Sequence, residues 1–317
     1  MSSVVAAQPS KARIWGFTGL AAIAPISWGT TYLVTTEMLP AGIPLLSGVI
    51  RVLPAGLLLL LLTRVLPTGD WWWRSIVLGT LNIGAFNVLL FVAAYRLPGG
   101  VAATLGAVQP LLVVGIAFLL LGERPHWWRI GWGLAGVVGV GLIVLNGAAS
   151  FDPIGIAAGL LGTTLMATGV VLTKRWGRPP RTSVLTFTGW QLTGGGLIIL
   201  PVALAVEGLP PALDLSAIAG YAWLTLIGTA VAYSLWFQGI GRLPVGALSF
   251  LPLLSPVVAT VLGWAVLGQS LTPSQGVGFA LALASIAAAQ FTVTARRRAR
   301  PPELQPTQES RQTIGTS

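Results

Sequence analysis

The chain has 317 residues, 54% of them hydrophobic and only 8% charged, with a formal net charge of +10 and a mean hydropathy of +0.83. No soluble globular chain of this length sustains that balance, so the composition predicts a polytopic membrane protein, and the basic excess reads as membrane orientation and not as nucleic-acid binding. Cysteine is absent and His126 is the single histidine, which excludes disulfides and Cys-ligated metals and leaves no His cluster for zinc or a catalytic triad.

Taken in order, the chain offers ten apolar runs near the length of about 20 residues that a spanning helix needs. They fall at 14–36, 43–63, 76–95, 101–121, 130–146, 154–172, 184–206, 217–237, 245–267 and 277–294. Lys11 and Arg13 ahead of the first run resemble the start of a signal peptide. That run is long enough to span, lacks a small-residue cleavage site and opens a regular series, so it reads as the first span. Connections are short and carry breakers such as Leu39-Pro40-Ala41-Gly42 and Gly208-Leu209-Pro210-Pro211. The organisation expected is a cytoplasmic segment 1–13, a five-helix unit 14–146, a second five-helix unit 154–294, and a disordered cytoplasmic tail 295–317 rich in Pro, Gln, Thr and Ser.

With the N-terminus inside, Lys11, Arg13, Arg64, Arg74, Arg124, Arg129, Lys174, Arg175, Arg178, Arg181, Arg242 and the basic residues from Arg296 onward fall on the cytoplasmic side. Arg96 is the one basic residue outside, together with Glu37, Asp152, Glu207 and Asp214. The positive-inside rule therefore predicts a multi-pass protein of the plasma (inner) membrane with both termini cytoplasmic. Trp15, Trp71, Trp72, Trp73, Trp127 and Trp128 lie where an interfacial aromatic belt is expected.

The stretch 96–123, RLPGGVAATLGAVQPLLVVGIAFLLLGE, recurs 146 positions later at 242–269. Arg96, Leu97, Pro98, Gly100, Leu105, Pro110, Leu121 and Gly122 fall without a gap on Arg242, Leu243, Pro244, Gly246, Leu251, Pro256, Leu267 and Gly268. A weaker echo at an offset of 140 matches Gly56-Leu57 to Gly196-Leu197 and Pro40 to Pro180. Each unit holds five spans, an odd number, so the second must enter the membrane from the other side. Inverted repeats of this kind are the architecture of secondary transporters, with the substrate path between the halves. The fold class expected is thus an all-α polytopic membrane protein of ten transmembrane helices, arranged as two inverted five-helix repeats.

The segments SWGTTYLVTTE at 27–37, LGER at 121–124 and AYSLWFQGIGRLPVGALSFLPLLSPVVATVLGWAVLGQ at 232–269 resemble EamA-type members of the drug/metabolite transporter superfamily. WGTTYLVTTE and VAAYRLPGGVAATLGAVQPL look most like the PecM-type exporter branch. The resemblance covers essentially the whole membrane region. It implies two EamA repeats, cytoplasmic termini and export of amino acids or other small metabolites. Gln269 stands where the repeat would place a second counterpart of Glu123.

Ionisable residues inside spans are costly and usually face the bundle interior. Arg51 lies about 12 Å into the second span at 1.5 Å per residue. It either faces a cavity and attracts an anionic group, or caps carbonyls of a neighbouring helix or snorkels to one surface. Uncharged candidates for a cavity lining are Trp28, Thr31 and Tyr32 in the first span, Asn87 in the third, Gln109 in the fourth, Gln191 in the seventh, and Tyr233 and Trp236 in the eighth, with interhelical packing as the plain alternative. Asn82 is five residues from Asn87, about 140° around a helix, so both cannot face the centre. Asn87 aligns with Tyr233 and is the favoured one. Thr168 and Trp190 are further polar positions. Pro25, Pro110 and Pro256 are hinge candidates, because each interrupts a helical hydrogen bond. Glu37 and Glu123 are the candidates for carrying a proton, against the plainer reading of solvated helix-end carboxylates. Aromatic side chains with a few amides suit small amphipathic or aromatic compounds.

No metal, cofactor or catalytic residue is expected, since an enzyme would need paired carboxylates, a Ser/His/Asp set or His ligands. The expected partners are membrane lipid and a small-molecule substrate, with a proton or counter-substrate as the coupling alternatives, and no nucleic acid. A homodimer through the small-residue helices is compatible with the sequence but not specified by it. The rival to a transporter is a channel or lipid-associated scaffold without alternating access.

Overall fold

The computed structural model describes residues 11–96, 105–124, 126–144, 152–210, 212–268 and 272–298. Among them the helices are α1 (Lys11–Met38), α2 (Pro44–Thr63), α3 (Trp71–Gly79), α4 (Ala85–Arg96), α5 (Gln109–Leu121), α6 (Trp127–Val144), α7 (Pro153–Trp176), α8 (Val184–Glu207), α9 (Leu215–Thr225), α10 (Ala232–Arg242), α11 (Val245–Leu248), α12 (Leu254–Leu267) and α13 (Pro273–Arg298). Six helical stretches are long and apolar enough to cross a membrane, and shorter apolar helices cover 105–121, 127–143 and 273–289. The protein is an all-helical, multi-pass membrane protein, as the composition predicts. α13 continues to Arg298, past the predicted end of the last span. The predicted N-terminal segment to residue 10 and the tail from 299 lie outside the described residues.

Local chemistry sets the helix ends. Asp152, Ser183 and Asp214 start α7, α8 and α9 by accepting the amide N–H of Gly155 (2.7 Å), Thr186 (3.0 Å) and Ala217 (2.7 Å). Gly122 and Gly268, which match in the repeat, end α5 and α12 with φ of 66° and 65°, a conformation glycine adopts without steric penalty. A π-helical turn at Thr80–Gly84 joins α3 to α4, and another at Leu226–Val231 joins α9 to α10. Their starts differ by the same 146 positions.

Equivalent helices of the two halves pack side by side. A Cβ on Gly56 would lie 2.5 Å from the Thr193 amide nitrogen, one on Gly196 would meet Leu53, and the Glu207 carboxylate accepts the N–H groups of Leu45 and Leu46 at 2.8 and 2.7 Å. Residue numbers rise along α2 as they fall along α8, so the pair is antiparallel. α6 and α13 behave alike: Gly139 meets Ala282, Gly136 meets Ser285, and the Trp128 indole donates to Ala288 O. The pairings α1 with α12 and α1 with α10 have counterparts with halves exchanged, α7 with α5 and α7 with α4.

One end of the bundle gathers Arg64, Arg74, Arg129, Lys174 and Arg242, brought together by contacts such as Arg74 over Trp176 and Arg242 over Phe17. At the opposite end Arg96 pairs with Asp152 at 3.4 Å, and Gly220 packs on Met38. The largest apolar cluster runs from Leu78, Ala117 and Val171 to Phe187, Trp236 and Leu248, and draws on both halves.

Candidate functional site

The second π-turn is where the sequence-predicted residues converge. In a π-turn the backbone bonds shift from i→i+4 to i→i+5, which leaves a carbonyl seeking another donor. Two side chains from the other half supply it. The Trp28 indole N–H donates to Gly228 O at 3.1 Å. Arg51 donates through Nη2 to the same carbonyl at 3.2 Å and through Nε to Thr229 Oγ1 at 2.9 Å. Carbonyl capping, the plainer of the two readings of Arg51, is therefore what its geometry displays, and it places the guanidinium between the halves. Around it Trp28 lies 5.3 Å from the Tyr233 ring and 5.5 Å, edge-on, from Trp236. Such tilted contacts suit the ring quadrupoles. Trp236 is 1% exposed, and Trp28 is half-buried against the same cluster.

A polar ladder leads to this point. Tyr221, Thr225 and Thr229 recur every four residues along one face of α9 and the π-turn that follows it. Tyr221 OH bonds Ser47 Oγ at 2.8 Å, Thr225 Oγ1 donates to Ile50 O at 3.2 Å, and Thr229 receives Arg51. The sequence reading missed Ser47, Tyr221, Thr225 and Thr229. The i, i+4, i+8 spacing of hydroxyls on an otherwise apolar span was the available signal.

The same face of the first half is built from different chemistry. At the repeat offset Tyr221, Thr225 and Thr229 become Ser75, Gly79 and Ile83. There a Cβ on Gly79 would lie 2.6 Å from Gln191 O, and one on Gly195 would lie 2.7 Å from Gly79 O. Gln191, which matches Arg51 at the offset of 140, accepts from Asn82 Nδ2 at 3.0 Å, and Asn82 in turn matches Gly228. Each half thus sends one polar side chain from α2 or α8 to the π-turn of the other. One is a cation on a carbonyl and a hydroxyl. The other is an amide pair, completed by an Asn82 bond to Thr173 at 3.2 Å.

The remaining candidates separate. Gln191 is fully buried in that amide pair, and Asn82, passed over in favour of Asn87, makes the cross-helix bonds. Asn87 turns its amide onto Ile83 O of its own helix, satisfying the first π-turn locally. Gln109 is buried with its Nε2 unpartnered, as is Thr31 Oγ1. The side chain of Tyr32 lies outside the described residues. Thr168 bonds back to Thr164 O, and the Trp190 indole donates to Val65 O at 2.8 Å. Of the tryptophans expected in an interfacial belt, Trp71 packs edge-on to Phe187 at 5.7 Å, while Trp15, Trp72, Trp73, Trp127 and Trp128 are exposed.

Pro25 is buried inside α1, one turn before Gly29, where a Cβ would lie 2.6 Å from Val258. Pro110 and Pro256 sit in the first turns of α5 and α12. The chain breaks ahead of them, at Val108 and across 249–253. Their missing N–H groups fall where a helix has no internal acceptor anyway, so neither proline costs its helix a hydrogen bond. Glu37 is exposed beside Thr36. Glu123 lines a small pocket with Arg124, His126, Arg129 and Gly246.

Helices crossing a bilayer around a polar, aromatic-lined point between two matched halves define a membrane transporter by class. The family model for the EamA-like transporter family matches this chain twice, over residues 17–145 and 153–289. The chain belongs to the EamA-like transporter family. It is 49% identical over 255 residues to the protein PecM of Dickeya dadantii (strain 3937), covering 80% of this chain and 86% of that one. That bears out the resemblance to the PecM-type branch of the drug/metabolite transporter superfamily. It is also 28% identical over 226 residues to a protein of Streptantibioticus cattleyicolor described as a probable terminal-alkyne amino-acid exporter, covering 69% of this chain and 73% of that one. One solved crystal structure superposes with a TM-score of 0.75 at 22% identity over 90% of this chain and 99% of that one, a likeness of fold.

Proposed function

We propose that this chain is a secondary transporter that exports small metabolites, amino acids or related amphipathic and aromatic compounds, across the plasma (inner) membrane by alternating access. In this reading ten spans form two inverted five-helix repeats, 14–146 and 154–294, with both termini and the basic end in the cytoplasm. The antiparallel pairing of α2 with α8 and of α6 with α13 supports the inversion, because helices equivalent in the repeat run in opposite directions. The observation that carries the reading is the Arg51 and Trp28 cap on the Gly228 carbonyl, a cationic and aromatic point held between the two halves.

A substrate carboxylate or other anionic group meets the Arg51 guanidinium there, and Trp28, Tyr233 and Trp236 receive an apolar or aromatic body. Thr31, Tyr32, Asn87, Gln109 and Gln191 complete the candidate lining as the halves move. Pro25 and the breaks ahead of Pro110 and Pro256 serve as joints, and Glu37 and Glu123 are the carboxylates available for proton coupling. The relative described as a probable terminal-alkyne amino-acid exporter supports this substrate class. The test is flux in membrane vesicles across a panel of amino acids, amines and aromatic metabolites. Saturable flux accelerated by substrate on the opposite side is expected. Linear flux without exchange would leave a channel as the better account.

A further inference from the structure

The equivalent helices α4 and α10 are buried to different degrees over the positions described in both. α10 runs to the basic end and buries Ala232, Tyr233, Ser234, Trp236, Phe237, Gly239 and Ile240. On α4, its equivalent, Asn87 and Ala93 are the buried residues among the described side chains. Trp236 and Leu90 hold matching positions, yet the first is enclosed and the second is half-exposed. The end of α10 is thus closely packed at the basic end.

Lys174 sits at that end. It projects from the last turn of α7, and its ammonium donates to Ile240 O and Leu243 O at 2.9 Å each, with Gly241 O at 3.5 Å. They belong to the last turn of α10 and to its C-cap residue Leu243, where carbonyls have no donor inside the helix and carry the negative end of its dipole. Just beyond, Pro244 has no N–H to offer, and Gly246 lies against the Arg129 guanidinium, so closely that a Cβ there would displace it. Glu123, on the turn after α5, lines the same small pocket as Arg129 and Gly246. The turn from α10 to α11 is therefore gripped by basic side chains from α7 and α6.

From this geometry we infer that Lys174 is the latch of the basic-end gate: it holds the end of α10 against α7 in the conformation seen, and its release opens the site toward the cytoplasm. The inference rests on the alternating-access reading above. Lysine suits the task because its flexible stem and three rotatable donors can leave the carbonyls one at a time. A backbone or glycine cap has no such freedom. Lys174 acts on the position of α10 and has no contact with substrate in this role.

The chain has no cysteine, so single-cysteine variants of the full protein report accessibility directly. Ser234→Cys reports on the buried face of α10 from the cytoplasmic side of inside-out vesicles. Thr31→Cys reports from the outer side of right-side-out vesicles. Each is labelled with a membrane-impermeant maleimide. In Lys174→Met, labelling at position 234 should rise several-fold while labelling at position 31 falls, and Lys174→Arg, which keeps the donors, should stay near the parent rates. Unchanged labelling in Lys174→Met overturns the latch, and so does a rise at both positions, which would mean a loosened fold. Parent protein labelled at 31 alone, with Lys174→Met unchanged, would sink the latch and leave alternating access standing. Linear flux without exchange in the same vesicles would sink alternating access itself.

Discussion

Arg51 shows how one side chain can serve structure and function together. A charge-assisted hydrogen bond contributes about 1.5–3 kcal/mol, and Arg51 places two on the second π-turn. Arg51→Gln and Arg51→Ala should each lower kcat/KM for export by about tenfold or more, the factor that such a loss implies. If both variants transport normally in vesicles, substrate does not meet this residue. Asp152 offers a prediction in pH. The Gly155 N–H, with Arg96 adding to it, holds the Asp152 carboxyl below its ordinary value of 3.8 by favouring the ionised form. A carboxyl depressed in the fold contributes stability above the unfolded value and loses it as pH falls through the folded value. Asp152→Asn keeps an N-cap but not the charge. Its thermal midpoint in detergent should therefore trail the parent at neutral pH and converge with it in acid below the ordinary aspartate range.

At the scale of elements, the same repeat face is dry in one half and polar in the other. α3 and the first π-turn meet α8 through Gly79 and Gly195, so close that no side chain fits, whereas α9 meets α2 through hydroxyls and Arg51. Gly195→Val should cost about 1–3 kcal/mol of stability by overpacking, read as a lower thermal midpoint in detergent. Gly16→Val, which meets nothing within 4 Å, should leave it unchanged. The existence of most helices was legible from hydropathy, because an apolar run of spanning length has few alternatives in a bilayer. The π-turns were not. They change the backbone register by a single residue, and nothing in the composition of 80–84 or 226–231 marks that shift. Pro110 and Pro256 lie in the first turns of helices that restart after a break, which their places within continuous apolar runs do not reveal.

For the whole molecule, the sequence by itself determined the membrane class, the duplication and the family, because these rest on composition and on a string repeated at constant offset. It also brought Trp28, Arg51, Tyr233 and Trp236 into one list, since polar and aromatic residues in apolar spans are few and must find partners. Only the tertiary structure decided which partners they find. Arg51 and Gln191 hold equivalent positions, yet one grips a carbonyl and a hydroxyl and the other closes an amide pair, a difference set by what the facing π-turn presents. Lys174 read as one more cytoplasmic cation until the end of α10 was seen to lie within reach of its amino group. The reason is physical: spans are specified by local hydrophobicity, whereas the partner of a buried polar group depends on which helix face lies across from it, and that is known only when the helices have packed.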